Sequence, residues 1–254
     1  MPDLKTRAQK TFSFFLDLIF PPLCLACSLY LKTPEEQTRL LCGKCLGKIA
    51  IYDALLCPVC SRRLPILKNN FPARPPCHKS SPFILASAAS YENPVVRGLI
   101  HTLKYGRVKT AISPLGYFVL RFYLKTAGIS SIITKERLIV PVPLHPKKER
   151  ERGFNQSFLV AEALRDFLDD SPPPISQALV RVKNTKAQAE IKNTGKRKEN
   201  VRGCFAVKNP SEVKNKDIIL IDDVFTSGAT ANEAVRTLKA AGARRILVFV
   251  LAKA

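Results

Sequence analysis

Ile218-Ile219-Leu220-Ile221-Asp222-Asp223-Val224-Phe225-Thr226-Ser227-Gly228-Ala229-Thr230 is the stretch on which the fold turns. Four apolar residues, three of them β-branched, read as a strand buried on both faces. Two carboxylates follow at its carboxyl end, where open α/β sheets place their ligands. The Thr-Ser-Gly-Ala-Thr turn then opens a helix. Its small hydroxylated residues and Gly228 let backbone N–H groups converge on a phosphate at the helix N-terminus. The acidic pair is suited to accept hydrogen bonds from vicinal ribose hydroxyls. Acidic pairs at strand ends and capped helix starts are each commonplace, but in this order, one turn apart, they fit a ribose 5-phosphate. Asp222, Asp223, Thr226, Ser227, Gly228, Ala229 and Thr230 are the first candidate site residues, with Asp222 and Asp223 the candidate catalytic pair.

The pattern around this stretch repeats strand and helix. Ile84 to Ser90 and Leu138 to Val142 read as short strands, and Ile246 to Leu251 as a last one. Pro94 to Tyr105, about Thr110 to Thr126, and Ala229 to Ala241 carry apolar residues at helical spacing, as does the run from Asn155 through Phe158, Ala161, Leu164 and Leu168. Such alternation predicts an α/β fold with a mostly parallel sheet flanked by helices. After Val142 comes a basic segment bearing Lys147, Lys148, Arg150 and Arg152, read as a loop that faces a pyrophosphate. Arg152 and Asn155, the latter at a helix N-cap position, join the candidate binding residues. The Lys-rich stretch from Arg181 to Arg202 shows no apolar periodicity. His101 and His145 have no evident partner and read as structural, and Cys204 reads as core.

The other end of the chain obeys different rules. Seven of the eight cysteines fall within the first 77 residues, six of them in Cys-x-x-Cys pairs. Cys24, Cys27, Cys42 and Cys45 have the spacing of a tetrahedral four-thiolate zinc site, closed and therefore structural. Cys57, Cys60 and Cys77 begin a second set, and the two clusters look like a loose duplication. In the second, Ser80 stands where a fourth thiolate is expected. Either His78 completes this site or the half has lost its metal, and the weaker or absent second zinc is the reading favoured here. A module this small cannot fold on its apolar core alone, so zinc supplies much of its folding free energy. The run Arg74 to Pro82 marks a composition break, giving a zinc module over residues 1–82 and an α/β domain over 83–254.

Composition narrows the setting. With 46% hydrophobic and 24% charged residues the chain can bury a core, which excludes dominant disorder. Forty-one Lys and Arg against 20 Asp and Glu give a net charge of +21, which favours polyanionic partners. No cleavable signal sequence is evident, and cysteines read as zinc ligands rather than disulfides point to a reducing cytoplasm. Phe12 to Phe20 is too short to span a bilayer and reads as an amphipathic helix packed on the zinc module.

These segments together resemble a known family. The Asp-Asp stretch is similar to the phosphoribosyl pyrophosphate (PRPP) motif of type I phosphoribosyltransferases. Val140-Pro-Val-Pro-Leu-His-Pro146, Arg150-Glu-Arg-Gly-Phe-Asn-Gln156, Leu103-Lys-Tyr-Gly106, Thr185-Lys-Ala-Gln188 and Asn200-Val-Arg-Gly203 resemble the ComF subgroup. That resemblance covers nearly the whole chain and implies an N-terminal double zinc ribbon, PRPP with Mg²⁺, and a mobile lid near Lys186 to Arg202. It further implies a role in natural transformation, with single-stranded DNA and other DNA-uptake proteins as partners, at the inner face of the membrane. A phosphoribosyltransferase is one expectation; a non-catalytic PRPP sensor or nucleic-acid-binding module is the alternative.

Overall fold

Buried β-branched runs pair with one another before anything else can satisfy their backbones, and here they build one sheet. The computed structural model describes residues 21–66, 75–106, 109–134, 136–168, 172–186, 188, 191 and 193–254. The helix expected over residues 12–20 lies outside them. The strands are β1 (Leu55–Leu56), β2 (Arg63–Leu64), β3 (Ile84–Ser90), β4 (Leu138–Pro141), β5 (Leu179–Arg181), β6 (Phe205–Val207), β7 (Asp217–Phe225) and β8 (Arg245–Lys253). Six of them form a sheet in the order β2-β1-β3-β8-β7-β4, and β5 pairs with β6 separately. The pairs β3–β8, β8–β7 and β7–β4 are parallel, whereas β1 pairs antiparallel with both β2 and β3.

Helices cover both faces of the parallel strands. On one face lie α3 (Pro94–Tyr105), α4 (Ile112–Lys125) and α6 (Gln156–Asp166), which bury Leu99, Phe118, Phe122, Val160 and Leu164 against Ile219, Ile221 and Phe249. On the other, α9 (Ala229–Ala240), which follows the short α8 (Pro210–Val213), and the β5–β6 ribbon enclose Leu220, Val235, Leu238 and Val248. The α/β sheet flanked by helices is thus as expected.

The cysteine-rich segment contributes α1 (Pro34–Arg39) and α2 (Gly43–Leu46), and it shares the larger core: Leu31, Leu41 and Leu55 pack in the same cluster as Leu99 and Phe118. Hydrogen bonds stitch the two parts. Tyr52 N–H donates to Ala88 O at 2.9 Å, and Asn93 Nδ2 to Lys48 O at 2.7 Å. Among the described residues, the two segments join through the sheet.

One expectation is corrected and another is filled in. The basic segment after Val142 is a helix, α5 (Pro146–Arg152), capped by His145, whose Nδ1 accepts from Lys147 N–H at 3.3 Å, with Pro146 at its first turn. The stretch 181–202 holds the end of β5 and a helix, α7 (Thr194–Val201), whose N-cap Asn193 accepts from Gly195 and Lys196. Neither helix has an apolar stripe, so hydrophobic periodicity could not reveal them; the caps carry the signal.

Candidate functional site

The site begins where two strands end unequally. β4 stops at Pro141 opposite Ile221, while β7 runs on to Phe225. Asp222 and Asp223 therefore lie past the edge of β4 and line a cleft of about 370 Å³ at the carboxyl ends of the strands. A bound small molecule of drug size typically fills about 300–1,000 Å³. Beyond Phe225 the chain turns back through Thr226, Ser227 and Gly228 into α9, and the residues from Thr226 to Thr230 form one wall. Gly228 sits at φ +71°, and a Cβ there would meet the Phe225 ring at 2.7 Å. Only glycine fits this turn, which leaves the backbone open toward the cleft.

Facing the phosphate turn are Lys148 and Arg152 of α5, Lys104 at the end of α3, and Arg181, Lys186 and Arg197 of the β5–β6 segment. Asp222 and Asp223 are the only carboxylates among the described lining residues. The cleft thus offers cations for a polyphosphate around one acidic spot. Arg152 lies over the Tyr105 ring at 5.8 Å, and burial lowers its pKa against the pull of Asp223 and Tyr105. Asp222 accepts from Ser157 Oγ at 3.2 Å and from Asp223 N–H at 2.9 Å. Burial, reinforced by the adjacent Asp223, pushes its pKa up to about 7.

Asn155 stands behind the wall instead of in it. Its Oδ1 accepts from Ser157 N–H at 3.0 Å and its Nδ2 donates to Val142 O at 3.1 Å, so it ties the start of α6 to the end of β4. Lys147 and Arg150 do not line the cleft, because only Lys148 and Arg152, four residues apart, share the facing side of α5.

Sequence reasoning missed several lining residues, namely Lys104, Gln156, Ser157, Arg181 and Gln188. Gln156 Nε2, Arg181 Nε and Gln188 Oε1 are buried without a hydrogen-bond partner among the described residues. Buried polar atoms left orphaned cost about 1–3 kcal/mol each, and such a cost is met at sites that a ligand completes. The family segments quoted above held the signal, since Asn200 brackets Lys186 through both its backbone groups, at 3.2 and 3.0 Å. His101 and Cys204 lie outside the cleft. Cys204 is fully buried, and burial raises its thiol pKa.

Two metal-ligand clusters complete the picture. The ligand atoms of Cys24, Cys27, Cys42 and Cys45 lie within 4.8 Å of one another, as do those of Cys57, Cys60, Cys77 and His78. Contacts of 3.7 Å between Cys27 and Cys42 Sγ and 3.6 Å between Cys60 and Cys77 Sγ match the edge of a zinc–thiolate tetrahedron, about 3.8 Å for bonds of about 2.3 Å. The first Cys-x-x-Cys turn of each cluster closes on a serine in the left-handed region, Ser28 at φ 58° and Ser61 at φ 59°. Their N–H groups donate to Cys24 O and Cys57 O at 2.8 and 2.9 Å, so the duplication seen in sequence is also one of backbone. In the second cluster Ser80 is exposed and takes no part, while His78 Nδ1 lies 3.4 Å from Cys57 Sγ. A turn in which His78 N–H donates to Pro75 O and Ser81 N–H to His78 O aims the adjacent Cys77 and His78 at one point. The favoured reading of a weakened second site thus meets a full set of four donors.

A cysteine-rich double ribbon built onto a parallel sheet with this cleft defines a type I phosphoribosyltransferase fold carrying structural zinc. Residues 15–80 match the double zinc ribbon domain and residues 159–254 the phosphoribosyl transferase domain. The chain is 30% identical over 237 residues to the DNA utilization protein YhgH of Escherichia coli strain K12, covering 93% of this chain and 99% of that protein. It is 26% identical over 232 residues to competence protein F of Haemophilus influenzae, covering 84% and 96%. It is also 38% identical over 104 residues to competence protein ComFC of Bacillus subtilis, covering 41% and 39%. The chain belongs to the ComF family.

Proposed function

We propose that this protein binds PRPP in the cleft at the end of β7, as a phosphoribosyltransferase, and serves DNA uptake by handling incoming single-stranded DNA. The observation that carries the PRPP reading is the placement of Asp222 and Asp223 opposite the Thr226–Thr230 turn, inside a ring of cations. The 5-phosphate takes the backbone N–H groups of the turn, and the carboxylates accept from the ribose hydroxyls. In transfer, the bond from the anomeric carbon to pyrophosphate breaks and its electron pair leaves with pyrophosphate. The acceptor then forms the new bond at that carbon. The acidic pair offsets the positive charge on the ring, while Arg152 and Lys148 hold the leaving group.

Mg²⁺ would neutralise the diphosphate. The described cleft residues hold no carboxylate beyond the pair assigned to ribose, so the ion fits as a passenger on the ligand's own oxygens. The DNA reading rests on the relatives' names and on the net charge of +21. Cysteine clusters suited to zinc favour a reducing cytoplasm, and the family resemblance favours the inner membrane face where DNA enters; among the described residues no helix is long and apolar enough to cross a membrane. The alternative is a non-catalytic PRPP sensor or nucleic-acid-binding module.

Calorimetric titration of PRPP with Mg²⁺ into the zinc-loaded protein tests the reading. Saturable binding is expected, with loss in the Asp222→Asn, Asp223→Asn double variant. Single-stranded DNA binding is expected to weaken steeply with salt and to survive the double change. Absence of PRPP binding to the folded protein would end the proposal.

A further inference from the structure

Lys104 comes from a different element from the acidic pair and the phosphate turn, yet it reaches the floor of the cleft. It is the penultimate residue of α3, in the segment Leu103-Lys-Tyr-Gly106, and its Nζ lies 2.9 Å from Asp223 Oδ1. The two side chains are 22% and 12% exposed. A lysine this deep keeps its charge only if it is paired. Burial alone would lower its pKa, but the attraction of Asp223 and their hydrogen bond outweigh burial and hold it above the ordinary lysine range.

The acidic pair has the opposite need. Two adjacent carboxylates at the end of a buried strand repel each other, and burial together with Asp223 makes Asp222 resist ionisation. Among the described residues, Lys104 and the neutral Tyr105 from α3 and Arg152 from α5 face them. From α6 they meet only the neutral Ser157. Of these cations Lys104 alone touches a carboxylate of the pair; Arg152 acts on Asp223 from a distance and is stacked over Tyr105. Lys104 also sits in the last turn of its helix, where the backbone dipole favours a cation.

We propose that Lys104 is a positioning residue for the ribose end of the ligand. It fixes the Asp223 carboxylate toward the cleft and supplies the resident positive charge that lets Asp222 and Asp223 both accept hydrogen bonds near neutral pH. The inference rests on the PRPP reading above and adds a residue outside the PRPP motif to it. A divalent ion arriving with the diphosphate leaves when the ligand leaves, whereas Lys104 stays and keeps the empty site in its binding form.

The test is PRPP affinity for the wild type, Lys104→Met and Lys104→Arg at about pH 8 and about pH 6.5, with thermal melts at each pH to confirm folding. Lys104→Met is expected to bind about tenfold more weakly at the higher pH, and the deficit should widen about tenfold again at the lower one, one pKa unit's worth in each case. The ligand's own phosphate titration is common to both proteins and cancels in their ratio. Lys104→Arg is expected to remove the extra pH dependence. If Lys104→Met does not fold, Lys104→Gln, which keeps a donor but no charge, carries the same comparison. A ratio that stays constant with pH, or unchanged affinity in the variant, overturns the proposal. Failure of the wild type itself to bind PRPP is a separate result and removes the parent reading as well.

Discussion

Leu56 stands opposite Leu85 in the antiparallel pair that joins the zinc ribbon to the parallel sheet. A second link follows on the same strand, where Ile51 bridges Ala89. The ribbon is therefore an edge of the main sheet, and its cysteines share a core with the helices that hold the cleft.

Metal should accordingly stabilise the whole chain. Two zinc ions per chain are expected by metal analysis, falling to about one in His78→Ala, whose Nδ1 faces Cys57. Chelation should lower the melting temperature of one common calorimetric transition by ~10 °C or more, since about 1 kcal/mol shifts a domain of this size by about 2–4 °C. A separate low-temperature transition for the ribbon, with the rest unmoved, would contradict the shared sheet.

Gly228→Ala should damage binding more than folding. The left-handed backbone costs a side chain about 1–2 kcal/mol, and the new methyl must displace the Phe225 ring, 2.7 Å away. The expected outcome is a modest fall in the melting temperature and a PRPP affinity reduced about a hundredfold or more, equivalent to about 3 kcal/mol of misplaced phosphate contacts. Calorimetry on the folded variant reads both.

Acid sensitivity should trace to the opposite end of β7. Asp217 accepts from Arg245 at 2.6 Å, Arg244 at 2.8 Å and Arg137 at 3.4 Å, with its side chain 4% exposed. Burial opposes its ionisation, but the three guanidinium groups outweigh burial and hold its pKa down to about 2. A carboxylate whose folded pKa lies below its unfolded value stabilises the fold above about pH 4, and that contribution is lost as pH falls toward about 2. Asp217→Asn should cost about 3 kcal/mol at neutral pH, because it removes the buried charge on which three arginines converge. In urea melts the gap between variant and wild type should narrow progressively from about pH 4 and close only toward about pH 2, where the wild type loses the same charge.

The parallel strands and their flanking helices were legible because Ile218 to Ile221, Ile84 to Ser90 and Ile246 to Leu251 announce themselves by composition alone. The acidic pair and the phosphate turn were legible because their chemistry is local in sequence. What escaped was assembled across distance. Lys104 reaches Asp223 from an element more than a hundred residues earlier in the chain, and no periodicity records that meeting. The helix α5 looked like a loop because its residues are almost all charged, and the second zinc site looked incomplete because the turn at Pro75 that swings His78 inward leaves no mark on cysteine spacing.

The strand order carries a consequence for biosynthesis. β3, which receives the ribbon, finds its parallel neighbour in β8, and β8 in turn separates it from β7 and the acidic pair. A nascent chain emerging in order from the ribosome can gather its thiolates around metal early. It cannot close the sheet until residues 245–253 are free, and contacts of such long sequence separation form slowly. During that interval the half-made protein is a metallated ribbon tethered to unpaired strands, a species that chaperones would be expected to hold.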